Sequence, residues 1–270
     1  MPAPSSSPSP PAIAAVVALD GVGKTFANGV VALARLSLDV RLGEFVSLLG
    51  PSGCGKSTAL RIIAGLSEPT SGRVEWRETE SADDAANPRR IGFVFQEPTL
   101  MPWATVAANV RLPLKLKGLE ADAPARVTAA LTRVGLADFA ASYPRELSGG
   151  MKMRTSIARA LVTEPALLLM DEPFAALDEI TRFRLNNDLL AVWQSLRKTV
   201  VFVTHSVFES VYLSQRIVVM TPRPGRVFSE LAIDAPYPRD ERFRTSADYA
   251  GYCRLVSETL ASAISGGEGS

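Results

Sequence analysis

Apolar residues recur along this chain in two spacings, and the places where one spacing yields to the other divide it into elements. Val16 to Leu19 and Leu33 to Leu48 have the β-rich, turn-punctuated character of short strands. Glu44-Phe-Val-Ser-Leu-Leu49 reads as a buried strand that feeds a glycine-rich loop. Leu60, Ile63 and Ala64 then follow at helical spacing. Gly65 is placed to end that helix, and Pro69-Thr-Ser-Gly72 turns the chain. Val74 to Trp76 and Ile91 to Phe95 are predicted strands around the polar stretch Glu78 to Pro88, expected as a solvated loop. From about Pro98 to Val162 the pattern is helical. Val127, Leu131 and Val134 mark one stripe that stops at Gly135, and Met153, Ile157, Ala160 and Leu161 mark another that stops before Pro165. Two strand runs, 166–171 and 199–204, enclose a helix with Leu185, Leu189, Val192, Trp193 and Leu196 on its buried side. Strands that alternate with helices predict an α/β fold around a parallel sheet, with residues 98–162 as an inserted helical lobe. No internal repeat is visible.

Composition narrows the classes. With 270 residues the chain can bury a sizeable core as one domain, or as one domain with a lobe. Its 29 basic and 28 acidic side chains leave a formal charge of +1, and the basic residues show no strong clustering. A nucleic-acid partner is therefore not expected. Two cysteines, Cys54 and Cys253, are too few for a disulfide framework and fit a reducing compartment. The longest apolar runs, Ala12 to Leu19 and Ala166 to Met170, fall short of the roughly 18 residues that a membrane span needs. No secretory signal is expected at the N-terminus. Residues 1–11, almost wholly proline, serine and alanine, and the polar end Ser265-Gly-Gly-Glu-Gly-Ser270 are expected to be disordered tails.

Three strand ends carry candidate chemistry. Gly50-Pro-Ser-Gly-Cys-Gly-Lys-Ser-Thr58 lies between a predicted strand and a predicted helix, the setting in which such a string cradles phosphate. Its glycines let backbone N–H groups curl toward an anion, and the helix terminus adds partial positive charge. Gly50, Pro51, Ser52, Gly53, Cys54, Gly55, Lys56, Ser57 and Thr58 are thus candidate nucleotide contacts, Lys56 to the β- and γ-phosphates and Ser57 to Mg²⁺. The cationic surroundings of Cys54 could lower its thiol pKa, although a side chain that points away is the simpler reading. Leu167-Leu-Leu-Met-Asp-Glu172 closes a strand in two acids. Asp171 can hold the metal, and Glu172 can orient or deprotonate an attacking water.

Gln96, at the end of the run Ile91 to Phe95, could ligate the metal or orient water, or be a solvated strand end. His205, the only histidine, ends the run Thr199-Val-Val-Phe-Val-Thr and is a candidate γ-phosphate contact. Phe26 could stack on a purine or sit in the core. Ser148, followed by Gly149 and Gly150, is a natural helix N-cap. Whether that terminus is a second anion site, spacing alone leaves open.

With these residues in place, the chain from Ala12 to about Leu260 resembles the ATP-binding cassette subunit of an ABC transporter. The resemblance implies a RecA-like P-loop NTPase core with an N-terminal antiparallel β subdomain and an inserted α-helical subdomain. In its terms residues 12–262 form the ATPase domain, the helical part spans about 98–162, and 263–270 are a tail. Phe26 matches the adenine-stacking aromatic, Gln96 the metal- and permease-sensing glutamine, and Leu147-Ser-Gly-Gly-Met151 the family signature. Ala176-Leu-Asp178 matches the interfacial loop and His205 the switch histidine.

Such cassettes pair head to tail, each ATP lying between one subunit's phosphate loop and the other's signature helix. The resemblance thereby assigns Ser148, Gly149 and Gly150 to a nucleotide held by a second copy. It implies ATP and Mg²⁺ as cofactors, an integral membrane permease as partner, and a periplasmic or lipid-anchored solute-binding protein as an indirect one. The implied place is the cytoplasmic face of the inner membrane, peripherally bound.

A narrower likeness, to nitrate/sulfonate/taurine-type importers and their relatives for thiamine-precursor pyrimidines, rests on three strings. They are Phe95-Gln-Glu-Pro-Thr-Leu-Met-Pro-Trp103, Asp171-Glu-Pro-Phe-Ala-Ala-Leu-Asp178 and Arg223-Pro-Gly-Arg226. Four positions depart from the common pattern: Phe26, Met153, Ala175 and Ser206. Soluble ABC proteins of repair or ribosome assembly usually carry two cassettes or a long coiled coil, and this chain shows one cassette without sustained heptads. A P-loop kinase or GTPase would leave the signature and His205 without a task.

Overall fold

The computed structural model describes residues 15–76 and 90–267. The N-terminal tail, residues 1–11, and the polar stretch Glu78 to Pro88 lie outside the described residues.

Strands β1 (Ala15–Thr25) and β2 (Val31–Arg41) form a hairpin, and β3 (Phe45–Leu49) leads into the phosphate loop and α1 (Lys56–Ile63). Gly65, at φ +71°, ends α1 as expected. Its N–H bonds to Ile62 O at 3.0 Å and that of Leu66 to Arg61 O at 2.8 Å, so the last carbonyls are satisfied in a left-handed turn. Next come β4 (Ser71–Trp76) and β5 (Ile91–Val94), then helices α2 (Val106–Leu116), α3 (Ala123–Arg133) and α4 (Gly149–Leu161). Strand β6 (Leu167–Asp171), α5 (Glu179–Leu196), β7 (Thr199–Thr204), α6 (Val207–Leu213) and the hairpin β8 (Arg216–Met220) and β9 (Val227–Ala232) follow. Helices α7 (Glu241–Arg244) and α8 (Ala247–Gly267) close the fold.

Two sheets result. The smaller is antiparallel, in the order β2-β1-β4. The larger has six strands in the order β5-β6-β7-β3-β8-β9, parallel except for the edge strand β9. Every residue of β3, β6, β7 and β8 is buried, because both faces of this sheet are covered. Strand alternation sorts their side chains into two cores. Leu167, Leu169, Val201, Val203, Val46 and Leu48 face α1 and the small sheet. Leu168, Met170, Val200, Phe202 and Phe45 face the layer that holds α4, α5, α6 and α8. The expected α/β class and the helical lobe after β5 are both present. Met153, which departs from the family pattern, is buried in that lobe.

Residues 263–267 differ from the expectation of a tail over 263–270, while residues 268–270 lie outside the described residues. Helix α8 continues through Gly267 and buries Ala263 completely. The reason is periodic: Cys253, Val256, Leu260 and Ala263 stand on one face against the core, so the stripe outlasts the polar composition. Arg239, just ahead of these helices, is buried and donates to five carbonyls: Val211, Tyr212, Ser214, Ile233 and Ala235. Each of those carbonyls left unpaired in the interior would cost about 1–3 kcal/mol.

Candidate active site

Parallel strands that all point one way bring their C-terminal ends to a single rim, where open α/β sheets bind ligands. At this rim β3 ends in the phosphate loop, β6 in Asp171 and Glu172, and β7 in His205. The register pairs Leu49 with Thr204 and Asp171 with Val203, which sets the three groups side by side.

The phosphate loop is tightly held. Gly53 and Gly55 take φ of +74° and +106°, and a Cβ on Gly55 would fall 2.7 Å from both Ala32 O and Leu33 Cδ2. Glycine is required there on both counts. The Lys56 side chain is buried and its Nζ donates to the carbonyls of Gly50 at 2.8 Å and Pro51 at 3.0 Å. It also lies 3.6 Å from Glu172 Oε1. Ser57 Oγ donates to Asp171 Oδ1 at 2.6 Å. Asp171 is itself buried. Burial raises its carboxyl pKa above the usual range, and the Ser57 bond partly offsets this.

Glu172 adopts φ +46°, left-handed for a residue that is not glycine, and its N–H donates to Val203 O at 3.0 Å. Such a conformation costs of order 1–3 kcal/mol, and it turns the carboxylate off the strand end. There Oε2 meets His205 Nδ1 at 3.0 Å while Oε1 faces Lys56. The result is a row of three, Lys56, Glu172 and His205, drawn from three different elements. Its chemical capacity is a cation and a carboxylate at one cleft, with an imidazole held on the carboxylate's second oxygen.

Phe26 sits in the β1–β2 turn, 43% exposed, and walls a cleft of ≈ 180 Å³ together with Gly55, Lys56, Ser57, Thr58 and Glu172. Larger concavities exist elsewhere, such as one of ≈ 470 Å³ between α5, α6 and the C-terminal segment, but they lack this chemistry. Gln96 is exposed and follows β5 by two residues, at the C-terminal end of the edge strand that pairs with β6. Arg159 on α4 anchors the following turn by donating to Pro98 O at 2.8 Å and Thr99 O at 2.9 Å.

Ser148, Gly149 and Gly150 stand apart from this cleft. Ser148 caps α4 as expected, accepting from Met151 N–H at 3.3 Å. A Cβ on Gly150 would come 2.8 Å from Thr181 Cγ2, so the glycine lets the signature turn pack on the start of α5. Of the two readings of Cys54, the structure does not favour the lowered thiol pKa. Its thiol is buried, and burial raises its pKa despite Lys56 4.0 Å away. Ser206, where an acid is common, caps α6 by accepting from Glu209 N–H at 3.3 Å, a role the hydroxyl performs as well.

One residue at the cleft, Arg223, was not a predicted site residue although its string was recognised. Its Nε donates to Gly53 O at 3.1 Å. Only the hairpin's path over the loop makes that proximity visible.

Comparison with known proteins gives the chain its family. Residues 33–175 match the family model described as ABC transporter. An uncharacterized ABC transporter ATP-binding protein of Methanocaldococcus jannaschii is 48% identical over 234 residues, covering 86% of this chain and 85% of that protein. An aliphatic sulfonates import ATP-binding protein of Rhodopseudomonas palustris is 42% identical over 259 residues, covering 96% and 87%. Among solved structures, a dimeric ATP-binding cassette in a post-hydrolysis state, bound to ADP and Pi, superposes with a TM-score of 0.70 at 37% identity. It is matched over 82% of this chain and 100% of its own. The chain belongs to the ABC transporter family and is one of its ATP-hydrolysing cassettes.

Proposed function

We propose that this ATPase works as a head-to-tail pair of identical cassettes and drives a membrane permease that imports a small solute. The observation that carries the reading is the row Lys56, Glu172 and His205 at one rim of the sheet. In this reading the loop from Gly50 to Thr58 cradles the phosphates, and Lys56 leaves its carbonyls to grip the β- and γ-oxygens. Glu172 orients the attacking water. An ionised carboxylate only accepts hydrogen bonds, so Glu172 holds the imidazole by its Nδ1–H and fixes the ring beside the γ-phosphate. Phe26 stacks on adenine.

Mg²⁺ fits the residues present. Ser57 Oγ and Asp171 Oδ1 are adjacent hard oxygen donors, and burial disfavours the charge on Asp171, which a bound cation would offset. Gln96, just beyond the edge strand β5, would complete the set. The ion, when bound, neutralises charge on the phosphate oxygens.

Two features support pairing. The ≈ 180 Å³ cleft is smaller than the roughly 300–1,000 Å³ usual for small-molecule sites, which leaves room for a second surface to complete the enclosure. Ser148, Gly149 and Gly150 supply a helix terminus for a phosphate, placed outside their own chain's cleft. The relative named for aliphatic sulfonates favours a sulfonate-like anion over a pyrimidine as cargo. A periplasmic or lipid-anchored binding protein would deliver it.

No helix among the described residues is long and apolar enough to cross a membrane. We place the pair peripherally on the cytoplasmic face, touching the permease through the segment Pro98 to Trp103. Trp103 is 76% exposed there. Arg159 ties this segment to the signature helix, a direct link between permease and nucleotide.

The reading is tested by release of inorganic phosphate from ATP: the purified chain should show it with Mg²⁺ and lose it with a chelator. No release in either condition removes the proposal. A photocrosslinker in place of Trp103 should capture the permease chain in membranes. Capture from sites elsewhere on the cassette and never from this one would displace the docking surface.

A further inference from the structure

The string Arg223-Pro-Gly-Arg226 has no part in the functions assigned so far, yet the fold brings it against the phosphate loop. It turns the chain between β8 and β9. The Gly225 N–H donates to Ala32 O at 2.9 Å and its carbonyl accepts from Ala34 N–H at 3.0 Å, which ties the turn to β2. A Cβ at position 225 would sit 2.0 Å from Cys54 O, so only glycine allows so close an approach to the loop.

This seat aims Arg223. Its Nε donates to Gly53 O at 3.1 Å, and one terminal nitrogen would lie 3.0 Å from a Cβ on Gly53. The side chain walls the same cleft as Phe26, Lys56 and Glu172. Its terminal nitrogens have no hydrogen-bond or carboxylate partner among the described residues. Lys56, by contrast, already faces Glu172 and two carbonyls. The cleft thus holds one cation that is engaged and one that is open. A planar guanidinium with free N–H groups beside curled backbone amides matches phosphate oxygens.

We infer that Arg223 is a nucleotide-binding residue whose terminal nitrogens grip the polyphosphate of ATP or ADP while Nε braces Gly53. The inference rests on the ATP site proposed above and deepens it.

The test is calorimetric titration of MgADP into the wild-type chain and the variants Arg223→Ala, Arg223→Gln and Arg223→Lys, at several KCl concentrations. Loss of one charge-assisted contact should weaken MgADP about tenfold in the Ala and Gln variants and flatten the salt dependence of Kd. Lys should restore most of the affinity, and KM for ATP should rise in step with Kd. Gln can still donate to Gly53. If the Gln variant binds like wild type with an unchanged salt dependence, the contact with Gly53 is all that Arg223 does, and the inference is overturned. A fall in kcat with KM unmoved overturns it equally. If the Ala variant does not fold, the Gln and Lys pair decides alone. Wild-type chain that fails to bind MgADP would defeat the nucleotide site itself, a result distinct from wild-type binding with unaffected variants.

Discussion

Glu172→Gln is expected to bind ATP normally and to lose turnover by about 10²–10⁴-fold, the usual contribution of a positioned general base. The substitution is nearly isosteric. A carboxamide can still accept from His205 at the 3.0 Å contact, and it can occupy the same left-handed position after β6. What it loses is the negative charge that polarises a water and offsets Lys56 3.6 Å away. Removing that charge beside an incoming polyphosphate also relieves repulsion, so affinity for ATP should hold or rise. With hydrolysis slowed, the pair should persist. Sizing chromatography in MgATP should therefore show a dimer for the variant, and phosphate release should show the loss of rate. A variant that turns over within tenfold of wild type, or that stays monomeric in MgATP, would falsify the sandwich as drawn.

The second large effect is expected at Lys56. Its ammonium is buried and parked on Gly50 O and Pro51 O, so the chain already bears the cost of desolvating it. The phosphate then meets a cation already desolvated at the loop, which has only to exchange carbonyl for phosphate oxygens. Lys56→Ala should forfeit about 1.5–3 kcal/mol of charge-assisted bonding, roughly 10- to 100-fold in affinity, before any effect on chemistry. Loss of the same charge from the transferring phosphoryl should lower turnover by a further factor of about 10². Arginine should not rescue, because a planar fork cannot occupy the pocket of a compact ammonium closed by Gly50 and Pro51. Titration with MgADP and steady-state ATPase rates measure the two losses separately. Undiminished hydrolysis in the alanine variant would remove Lys56 from the mechanism.

The four departures from the common family pattern find local explanations of unequal depth. Ser206 caps α6 and Met153 fills the helical core, so both are answered by packing or capping. Phe26 keeps an exposed ring at the mouth of the cleft and lacks only the hydroxyl. Ala175 makes a turn contact to Glu172 O at 3.2 Å, and nothing in the structure explains the choice of alanine over glycine there.

Much of the site was legible before any coordinates because its parts are local. A glycine-rich loop between strand and helix, two acids at a strand end and a histidine at another are each written within a few consecutive residues. Apolar runs at period two or near four likewise marked most strands and helices. Three features were not legible, and each has a physical cause. The signature turn could be recognised as a helix cap, but whether it meets a nucleotide held by a second copy depends on how two chains meet. The side chain of Cys54 is buried by packing that neighbouring charge does not reveal, and burial outweighs Lys56 in setting its pKa. The C-terminal helix was cut short because composition near Ser265 looked polar, while one apolar face still had a core to pack against.

Residue order by itself thus determined the class of fold and pointed to the glycine-rich loop, the two acids and the imidazole as candidates, since backbone freedom and strand burial are encoded in short stretches. Tertiary structure alone decided that Lys56, Glu172 and His205 form one row, because only parallel register between β3, β6 and β7 sets three distant strand ends side by side. It alone also carried Arg223 onto Gly53, through a hairpin that pairs with β8 and crosses the loop 170 residues earlier in the chain.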